Sequence, residues 1–179
     1  MPKKYSIPPL LIAFLFAGLT VSADQLTRGE VMGRWASPGS IFEIFEVDGI
    51  LHGKIIALKD SVYTEEEAAA KAGQVRLDDN NPDESLRIRQ TLGLDIFLNY
   101  HFEDAQWAGN IYDPEPGNTY KSKLRVEKGL LEIRGYIRLP MFGRTSKFPS
   151  ASTCLDYIRE MLLVAGESSS CTGTAGGGN

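Results

Sequence analysis

The amino-acid sequence predicts an all-β fold of about eight antiparallel strands with one short helical insertion. Apolar and polar residues alternate along several short segments, which is the period of a half-buried strand. Two-residue turns that contain glycine separate pairs of these segments, as β-hairpins require. Helical spacing of apolar residues is rare. This pattern is typical of a meander that closes into a barrel or folds as a sandwich.

The composition is that of an ordinary globular protein. The chain has 179 residues, of which 42% are hydrophobic and 23% are charged, and its formal net charge is −4. These values exclude a wholly disordered or disulfide-dense chain, and the length suits one domain with its own core. A nucleic-acid-binding domain would normally be basic, so we expect no nucleic-acid partner.

Residues 1–23 are predicted to be a secretory signal peptide. Lys3 and Lys4 precede an apolar run over 10–19, and small residues follow at 21–23. The run is shorter than the roughly 20 apolar residues that span a bilayer. Its removal leaves 17 basic against 23 acidic residues, a net charge of −6. We therefore expect a periplasmic or secreted protein with a β-barrel domain over 24–148. A buried N-terminal helix is the alternative.

The first predicted hairpin turns at Asp48-Gly49. It joins strands expected over 41–47 and 50–58, and pairing them across this turn places Glu43 opposite Lys54. The opposite face of both strands is then apolar, which supports this register.

The helical insertion is predicted over Thr64–Ala72. Thr64 is a suitable N-cap, and the three glutamates at 65–67 favour the positive end of the helix dipole.

Further strands are predicted after this helix. Residues 96–102 alternate, and the proline- and glycine-containing turn at 113–117 separates strands over 107–112 and 119–126. A final strand is expected over 142–148.

Another hairpin turns at 128–129. The register across this turn places Ser122 opposite Gly135 and Tyr120 opposite Ile137 on the apolar face. The reverse face carries basic side chains, which are Lys121, Lys123, Arg125 and Arg134.

Residues 149–179 are predicted to be an extension outside the fold. A short amphipathic helix is expected over 154–165, and a disordered tail rich in Gly and Ser follows. Both cysteines, Cys154 and Cys171, lie in this extension. In an exported protein they can form one disulfide, and two free thiols are the alternative.

A longer pattern makes the chain recognisable. It comprises Asn81-Pro82-Asp83 with Leu86-Arg87 and Arg89, Ile111 to Glu115, Gly117 with Thr119 to Lys121 and Lys123-Leu124, Arg134 to Tyr136, and Phe142 to Thr145. Over residues 30–147 the chain resembles a family of exported bacterial proteins known as a domain of unknown function with a lipocalin-like β-barrel. The resemblance implies an antiparallel calycin-like barrel and export, and it implies no reaction.

Gly33-Arg34-Trp35 is similar to the Gly-x-Trp that opens lipocalin-type barrels. The resemblance implies structural roles for Gly33 and Trp35, with Trp35 plugging the closed end of the barrel. In such barrels an arginine from the last strands often covers this tryptophan, and Arg144 is the candidate here.

Interior side chains of the predicted barrel are candidate ligand contacts. They are Tyr120, Ser122, Leu124, Ile133 and Ile137. Ser122 and Gly135 are small, so they leave room for a small ligand between opposite strands. Arg87, Arg89 and Tyr112 are candidate polar contacts near the mouth. The two arginines can instead pair with local acids and fasten their loop to the barrel.

Motifs for metal, cofactor or nucleophilic chemistry are missing from the sequence. The acidic loop 78–84 does not fit an EF-hand, because Glu84 and Gln90 replace its glycine and its last glutamate. His52 and His101 have no partner at ligand spacing, and phosphate-binding glycine loops are absent. We predict no metal, no cofactor and no enzyme activity. A hydrolase built on two carboxylates is a third hypothesis.

Charge is unevenly distributed along the chain. Residues 60–104 carry a net charge of −7 and residues 117–147 a net charge of +6. We expect the acidic loops to fold over the basic sheet. The alternative is an interaction module whose basic face, with Lys121, Lys123 and Arg134, meets an anionic envelope surface or a protein partner. The first function hypothesis is binding of one small apolar or amphipathic ligand inside the barrel.

Overall fold

Eight antiparallel strands form one sheet in chain order in the computed structural model, which describes residues 28–167 and Cys171. They are β1 (Gly33–Ala36), β2 (Ser40–Val47), β3 (Ile50–Leu58), β4 (Phe97–Glu103), β5 (Gln106–Asp113), β6 (Asn118–Glu127), β7 (Leu130–Tyr136) and β8 (Arg144–Pro149). Trp35 of β1 bridges to Ser150 after β8, so the sheet is a nearly closed barrel. The predicted all-β fold is confirmed. The predicted signal peptide and most of the predicted tail lie outside the described residues.

Both hairpin registers predicted from the turn residues are observed. Glu43 lies opposite Lys54 across β2–β3, and Ser122 lies opposite Gly135 across β6–β7. The alternation of apolar and polar residues along each strand determines these registers, because a slip of one residue would turn the apolar face towards solvent.

The strict alternation predicted over 96–102 is wrong. Phe97 and Tyr100 are both buried, while Leu98 is exposed. The register of β4 on β5 shifts after Leu98, and Asn99 has a positive φ of 54°. This irregularity adds one residue to β4 and turns Tyr100 to the inside of the barrel.

The last hairpin is shorter than predicted. β7 ends before Ile137 and β8 begins after Phe142, so that residues 137–143 form a loop. Pro140 has no backbone N–H to donate to a ladder, which favours a loop at this point. Ile137 was expected to face the interior beside Tyr120. It is 77% exposed instead.

The connection between β3 and β4, residues 59–96, contains the predicted helix. Thr64 caps α1 (Glu65–Ala68): its hydroxyl accepts from the Glu67 backbone N–H, and the Glu67 carboxylate accepts from the Thr64 N–H. The helix tightens into a 3₁₀ turn at Ala69–Lys71, so the α-helical part is shorter than the predicted 64–72.

The C-terminal extension contributes to the packed structure. α2 (Asp156–Val164) buries Ile158, Met161 and Leu162 against the outer face of the barrel at Ala36, Ile41 and Ala57. The disulfide between Cys154 and Cys171 spans this helix. The expectation that the extension lies outside the fold is therefore wrong for α2, because its apolar face covers the outer surface of the first strands.

The strand order divides the barrel into two ends. Up-and-down connection places the β1–β2, β3–β4, β5–β6 and β7–β8 connections at one end, which we call the mouth. The other three connections lie at the opposite end, which we call the closed end.

Candidate functional site

The half of the barrel next to the closed end is filled by aromatic side chains. A Cβ at Gly53 would lie 2.7 Å from the Phe97 ring, and a Cβ at Gly109 would lie 2.6 Å from the Tyr100 ring. The two glycines therefore allow these rings to lie directly on the neighbouring strands. The Tyr100 hydroxyl hydrogen-bonds Ser122, and burial raises the pKa of Tyr100. Tyr100 thus occupies the space beside Ser122 that was expected to receive a ligand.

Arg28 seals the closed end. Its guanidinium carbon lies 5.1 Å from the centroid of the Trp107 ring and 5.6 Å from that of Phe102, and the guanidinium pairs with Glu46. Trp107 Nε1 donates to the Arg28 carbonyl at 3.0 Å. Cation–π attraction and packing therefore hold an arginine over a tryptophan at this end.

The expected contact between Arg144 and Trp35 is wrong. Arg144 lies opposite Gly135 at the mouth end of β8, whereas Ser150 is the residue that reaches Trp35. Ser150 follows Arg144 by six positions along extended chain, a distance of about 20 Å. Trp35 is buried and its Nε1 donates to the Val31 carbonyl at 2.8 Å.

A cavity of about 950 Å³ opens at the mouth. This volume is within the range of about 300–1,000 Å³ that is usual for small-molecule sites. The apolar part of its wall includes Phe42, Ile55, Leu58, Ile96, Ile111, Tyr112, Tyr120, Ile133 and Phe148, and much of the remaining wall is polar or charged. Of the predicted contacts, Tyr120, Ile133 and Tyr112 line the cavity. Ser122 and Leu124 are buried in the filled half, and Ile137 lies on the outer loop.

Two ion-pair groups stand on the rim, both within the 59–96 segment. The Tyr63 hydroxyl donates to Asp79, and Lys71 Nζ donates to the same carboxylate at 2.8 Å. Lys71 and Tyr63 lower the pKa of Asp79. Arg76 Nη2 lies 2.5 Å from a Glu67 carboxylate oxygen and lowers the pKa of Glu67 to about 2. Both carboxylates are therefore charged and engaged at neutral pH.

Asp113 also lies on the rim, at the end of β5. Desolvation raises the pKa of its carboxyl, although that group accepts a hydrogen bond from the Glu115 backbone N–H at 3.2 Å. Asn80 Nδ2 donates to the Glu115 carbonyl at 2.6 Å, so the 59–96 segment contacts the β5–β6 turn. The rim is acid-rich, and its charged residues are Asp60, Glu67, Arg76, Asp79, Asp113, Glu115 and Arg144. Ion pairs at Glu67 and Asp79 do not favour the hypothesis of a carboxylate hydrolase.

Asp78 fastens the 59–96 segment to the barrel. Its carboxylate is fully buried and accepts from the Tyr112 hydroxyl at 2.5 Å, Arg89 Nη2 at 2.6 Å and Asn81 Nδ2 at 2.8 Å. Arg87 Nε donates to the Asn81 carbonyl at 2.8 Å. Burial and the bond to Asp78 raise the pKa of Tyr112 to about 12. Arg87, Arg89 and the Tyr112 hydroxyl thus hold a loop in place. For the two arginines, this is the pairing with local groups that was the alternative to ligand contact.

Acidic side chains of the 59–96 segment form ion pairs with basic side chains of the same segment. Besides the pairs of Glu67, Asp78 and Asp79, Arg87 lies 3.4 Å from Glu84. We expected the acidic loops to fold over the basic sheet. These ion pairs do not support that expectation, because both partners of each pair belong to the 59–96 segment. On the sheet, Lys123 lies opposite Arg134, as predicted from the register.

The rim residues of the 59–96 segment were missed by sequence reasoning. Tyr63, Arg76 and Asp79 have no motif spacing, and they line the cavity from a connection without regular strands. The capping box at Thr64 indicated a helix start, but a local signal cannot say against which surface the segment packs.

Metal-binding clusters and membrane-spanning helices are both absent from the described residues. Residues 28–167 and Cys171 contain no group of three or more His, Cys, Asp or Glu side chains that could hold a metal ion. No helix in this part of the chain is long and apolar enough to cross a membrane.

Comparison with known proteins supports both the fold and the family. No curated protein matches the chain. A matching solved structure is protein HP1028 from the human pathogen Helicobacter pylori, described as belonging to the lipocalin family. It is 18% identical, with a TM-score of 0.51, over 66% of this chain and 81% of that chain. At this identity the likeness shows a lipocalin-like fold. A family model matches residues 33–149, and the chain therefore belongs to DUF2147, the family described as an uncharacterized protein conserved in bacteria.

Proposed function

We propose that this protein is an exported binding protein that holds one small apolar or amphipathic ligand in the mouth cavity. The observation that carries the proposal is the division of the barrel interior. Aromatic rings fill the half next to the closed end, whereas the other half forms a cavity of about 950 Å³ whose wall combines apolar side chains from the strands with polar and charged groups. A barrel of this size either packs itself solid or holds a small ligand, and only half of this interior is solid.

The lining indicates how such a ligand would be oriented. Apolar side chains such as Phe42, Ile111 and Ile133 form the inner wall, and the charged groups stand at the rim. An amphipathic ligand would place its apolar part inside and its polar end at the mouth, because burying a polar group without a partner is costly.

Export rests on the predicted signal peptide and is supported by the disulfide between Cys154 and Cys171. Structural disulfides persist mainly in oxidising compartments such as the periplasm and the extracellular space. The lipocalin-like fold is consistent with binding of a small ligand.

Filling the cavity from Gly135 tests the proposal. A Cβ at Gly135 would meet only the Tyr120 Cβ, at 3.8 Å, so Gly135→Phe adds bulk to the cavity wall without a backbone clash. We expect the wild-type protein to take up the apolar fluorescent probe N-phenyl-1-naphthylamine and Gly135→Phe to lose this uptake at an unchanged circular dichroism spectrum. Thr119→Phe, at an exposed position on the neighbouring strand, is the matched control and should bind normally.

Native mass spectrometry of the protein purified from its own host supplies the second readout. We expect a co-purifying small molecule on the wild type and on Thr119→Phe, and none on Gly135→Phe. A wild-type protein that purifies empty and takes up no probe would contradict the proposal. Equal uptake by the wild type and Gly135→Phe would also contradict it.

A second candidate function is an envelope-associated interaction module. The specific observation is the like-charge pair of Lys123 and Arg134 on neighbouring strands, with the exposed Lys121 beside them. Like charges in direct opposition destabilise a sheet, which favours a role for them with an anionic surface or partner. Reversing Lys121 and Lys123 to Glu should abolish association with the envelope fraction, and an unchanged association would exclude this candidate.

A further inference from the structure

The loop between β7 and β8, residues 137–143, presents its large side chains to solvent. We call it the apolar loop. Four of its side chains are between 53% and 80% exposed, namely Ile137, Leu139, Met141 and Phe142. Contiguous exposed apolar groups of this kind mark a contact with a protein, a ligand or a membrane.

The backbone holds this loop in a defined shape. Residues Pro140–Phe142 form a 3₁₀ turn, closed by the Phe142 N–H donating to the Leu139 carbonyl at 3.1 Å. Arg134 Nη1 donates to Thr145 Oγ1 at 3.0 Å, and Nη2 donates to the Met141 carbonyl at 3.4 Å. Exposure of the apolar side chains is thus a consequence of an ordered turn at the tip of a hairpin.

Positive charge accompanies the apolar side chains. Arg138 lies within the loop and Arg144 at its end, and both are exposed. Lys121 and Lys123 lie on the neighbouring strand β6. These four basic side chains belong to the segment 117–147, which as a whole carries a net charge of +6 in a chain whose net charge is −4. This local charge is complementary to an anionic surface, which attracts Arg and Lys side chains within about one Debye length.

The form of the loop favours a lipid surface over a protein partner. A stable protein interface buries about 800 Å² per partner and needs a broad complementary surface. Here a narrow turn presents aliphatic, thioether and aromatic side chains, with arginines beside them. Apolar side chains that enter the acyl boundary, next to basic groups at the headgroup level, are the arrangement of interfacial membrane anchors.

We propose that the apolar loop docks this protein on an anionic lipid bilayer. The inference goes beyond ligand binding, because docking does not require an occupied cavity. It also locates the envelope contact at the loop, whereas the second candidate function places it on the basic sheet face. The β7–β8 connection stands at the mouth, so docking brings the cavity opening next to the bilayer.

Vesicle flotation with the protein purified from its host tests the proposal. We expect binding to vesicles of phosphatidylglycerol and phosphatidylcholine, weaker binding at high salt, and little binding to phosphatidylcholine alone. The double variant Leu139→Ser with Phe142→Ser should bind at least about tenfold more weakly, since two apolar side chains no longer enter the membrane. Arg138→Gln should weaken binding about fivefold. The matched control is Leu163→Ser with Val164→Ser, which removes two exposed apolar side chains of α2 and should bind normally.

A spectroscopic variant reports insertion directly. Trp35 and Trp107 are buried, so a tryptophan introduced by Phe142→Trp is the one expected to respond to lipid. We expect a blue shift of its emission and quenching by brominated lipid when anionic vesicles are added. An unchanged emission at lipid concentrations that float the protein would overturn the proposal.

Further outcomes separate this proposal from the others. Loss of vesicle binding in the loop double variant, at an uptake of N-phenyl-1-naphthylamine equal to that of the wild type, supports docking. This holds whether or not the cavity proves to bind a ligand. Equal loss in the α2 control overturns docking by the loop. Loss on reversal of Lys121 and Lys123 with full binding by the loop double variant also overturns it and favours the sheet face. Self-association or capture of a protein through the loop, without vesicle binding, overturns the choice of a lipid.

Discussion

Gly117 is a residue of the β5–β6 turn that the 59–96 segment approaches closely. Its φ is +69°, and a Cβ at this position would lie 1.8 Å from the Asn80 carbonyl oxygen. Two independent constraints therefore require glycine here: a left-handed backbone and the close approach of another backbone. This single position couples the turn that supplies Asp113 to the segment that supplies Asp79.

We predict that Gly117→Ala destabilises the protein far more than Gly129→Ala. Gly129 has a similar φ of +76°, but a Cβ there would meet nothing within 4 Å, so its substitution should cost about 1–2 kcal/mol for the backbone conformation alone. Gly117→Ala adds a backbone clash and should cost more than about 3 kcal/mol. Urea unfolding of both variants measures the difference. Equal free energies of unfolding would show that the contact with Asn80 yields without cost.

At the scale of elements, the last three strands are joined by a row of charges. Glu132 of β7 is nearly buried and lies between Arg125 of β6, at 2.8 Å, and Lys147 of β8, at 2.7 Å. These partners, Lys147 first, lower the pKa of Glu132 from 4.5 to about 2. The two ion pairs connect the strands on the outer face of the barrel.

The pH dependence of stability should reflect this row. Because the Glu132 pKa is lowered in the folded protein, the unfolded chain binds more protons between pH 4.5 and about 2. The contribution of Glu132 is thus complete above pH 4.5 and is lost as the pH falls towards 2. We predict that Glu132→Gln lowers stability at pH 7 and makes the loss of stability below pH 4.5 shallower. Urea midpoints across this range measure the effect.

Glu103→Gln is the control for the pH experiment, since Glu103 is exposed at the end of β4. It should leave both the stability at pH 7 and its decline in acid close to those of the wild type. A profile of Glu132→Gln parallel to that of the wild type would contradict the role assigned to the row.

α2 is the second element whose contribution can be measured. Ile158 is fully buried between this helix and the outer face of the barrel, so Ile158→Ala should lower the free energy of unfolding by about 2–5 kcal/mol. Leu163 lies on the same helix and is exposed, so Leu163→Ala should change it by less than about 0.5 kcal/mol. Chemical denaturation compares the two. A small effect of Ile158→Ala would mean that the helix detaches before the barrel unfolds.

At the scale of the whole molecule, the two ends of the barrel differ in how they are filled. Arg28, Trp107 and the aromatic rings above them close one end. The other end has a cavity with both apolar and polar lining and an acid-rich rim, and the apolar loop lies at the same end. The filled half is packed with aromatic rings and the open half is a cavity already present in the fold, so the proposed ligand would meet a preformed wall.

Much of the barrel could be predicted from particular residues. The glycine turns at 48–49 and 128–129 and the alternation along the strands determined the registers, and the longer pattern between Asn81 and Thr145 carried the resemblance to the family. The predictions of buried and exposed residues were wrong where the backbone departs from the regular alternation of a strand. The irregularity at Asn99, whose φ is positive, buries Phe97 and exposes Leu98, and the 137–143 loop exposes Ile137.

The candidate site was predicted less well than the fold. Tyr120 and Ile133 line the cavity as expected, because they lie on regular strands whose faces alternate. Tyr100 closes the space beside Ser122, and Arg87 and Arg89 hold Asp78 and Asn81 in place. These contacts join residues far apart in the chain, so no local pattern reports them.

The sequence by itself determined the strands, their antiparallel pairing and the family, because alternation and turn chemistry are local properties of the chain. Only the tertiary structure decided that the barrel is half filled, that α2 packs on its outer face, and that the 59–96 segment forms the rim of the cavity. The physical reason is that side-chain volume and charge act between residues that are distant in sequence. Their effect on a cavity depends on which surfaces the closed barrel brings together.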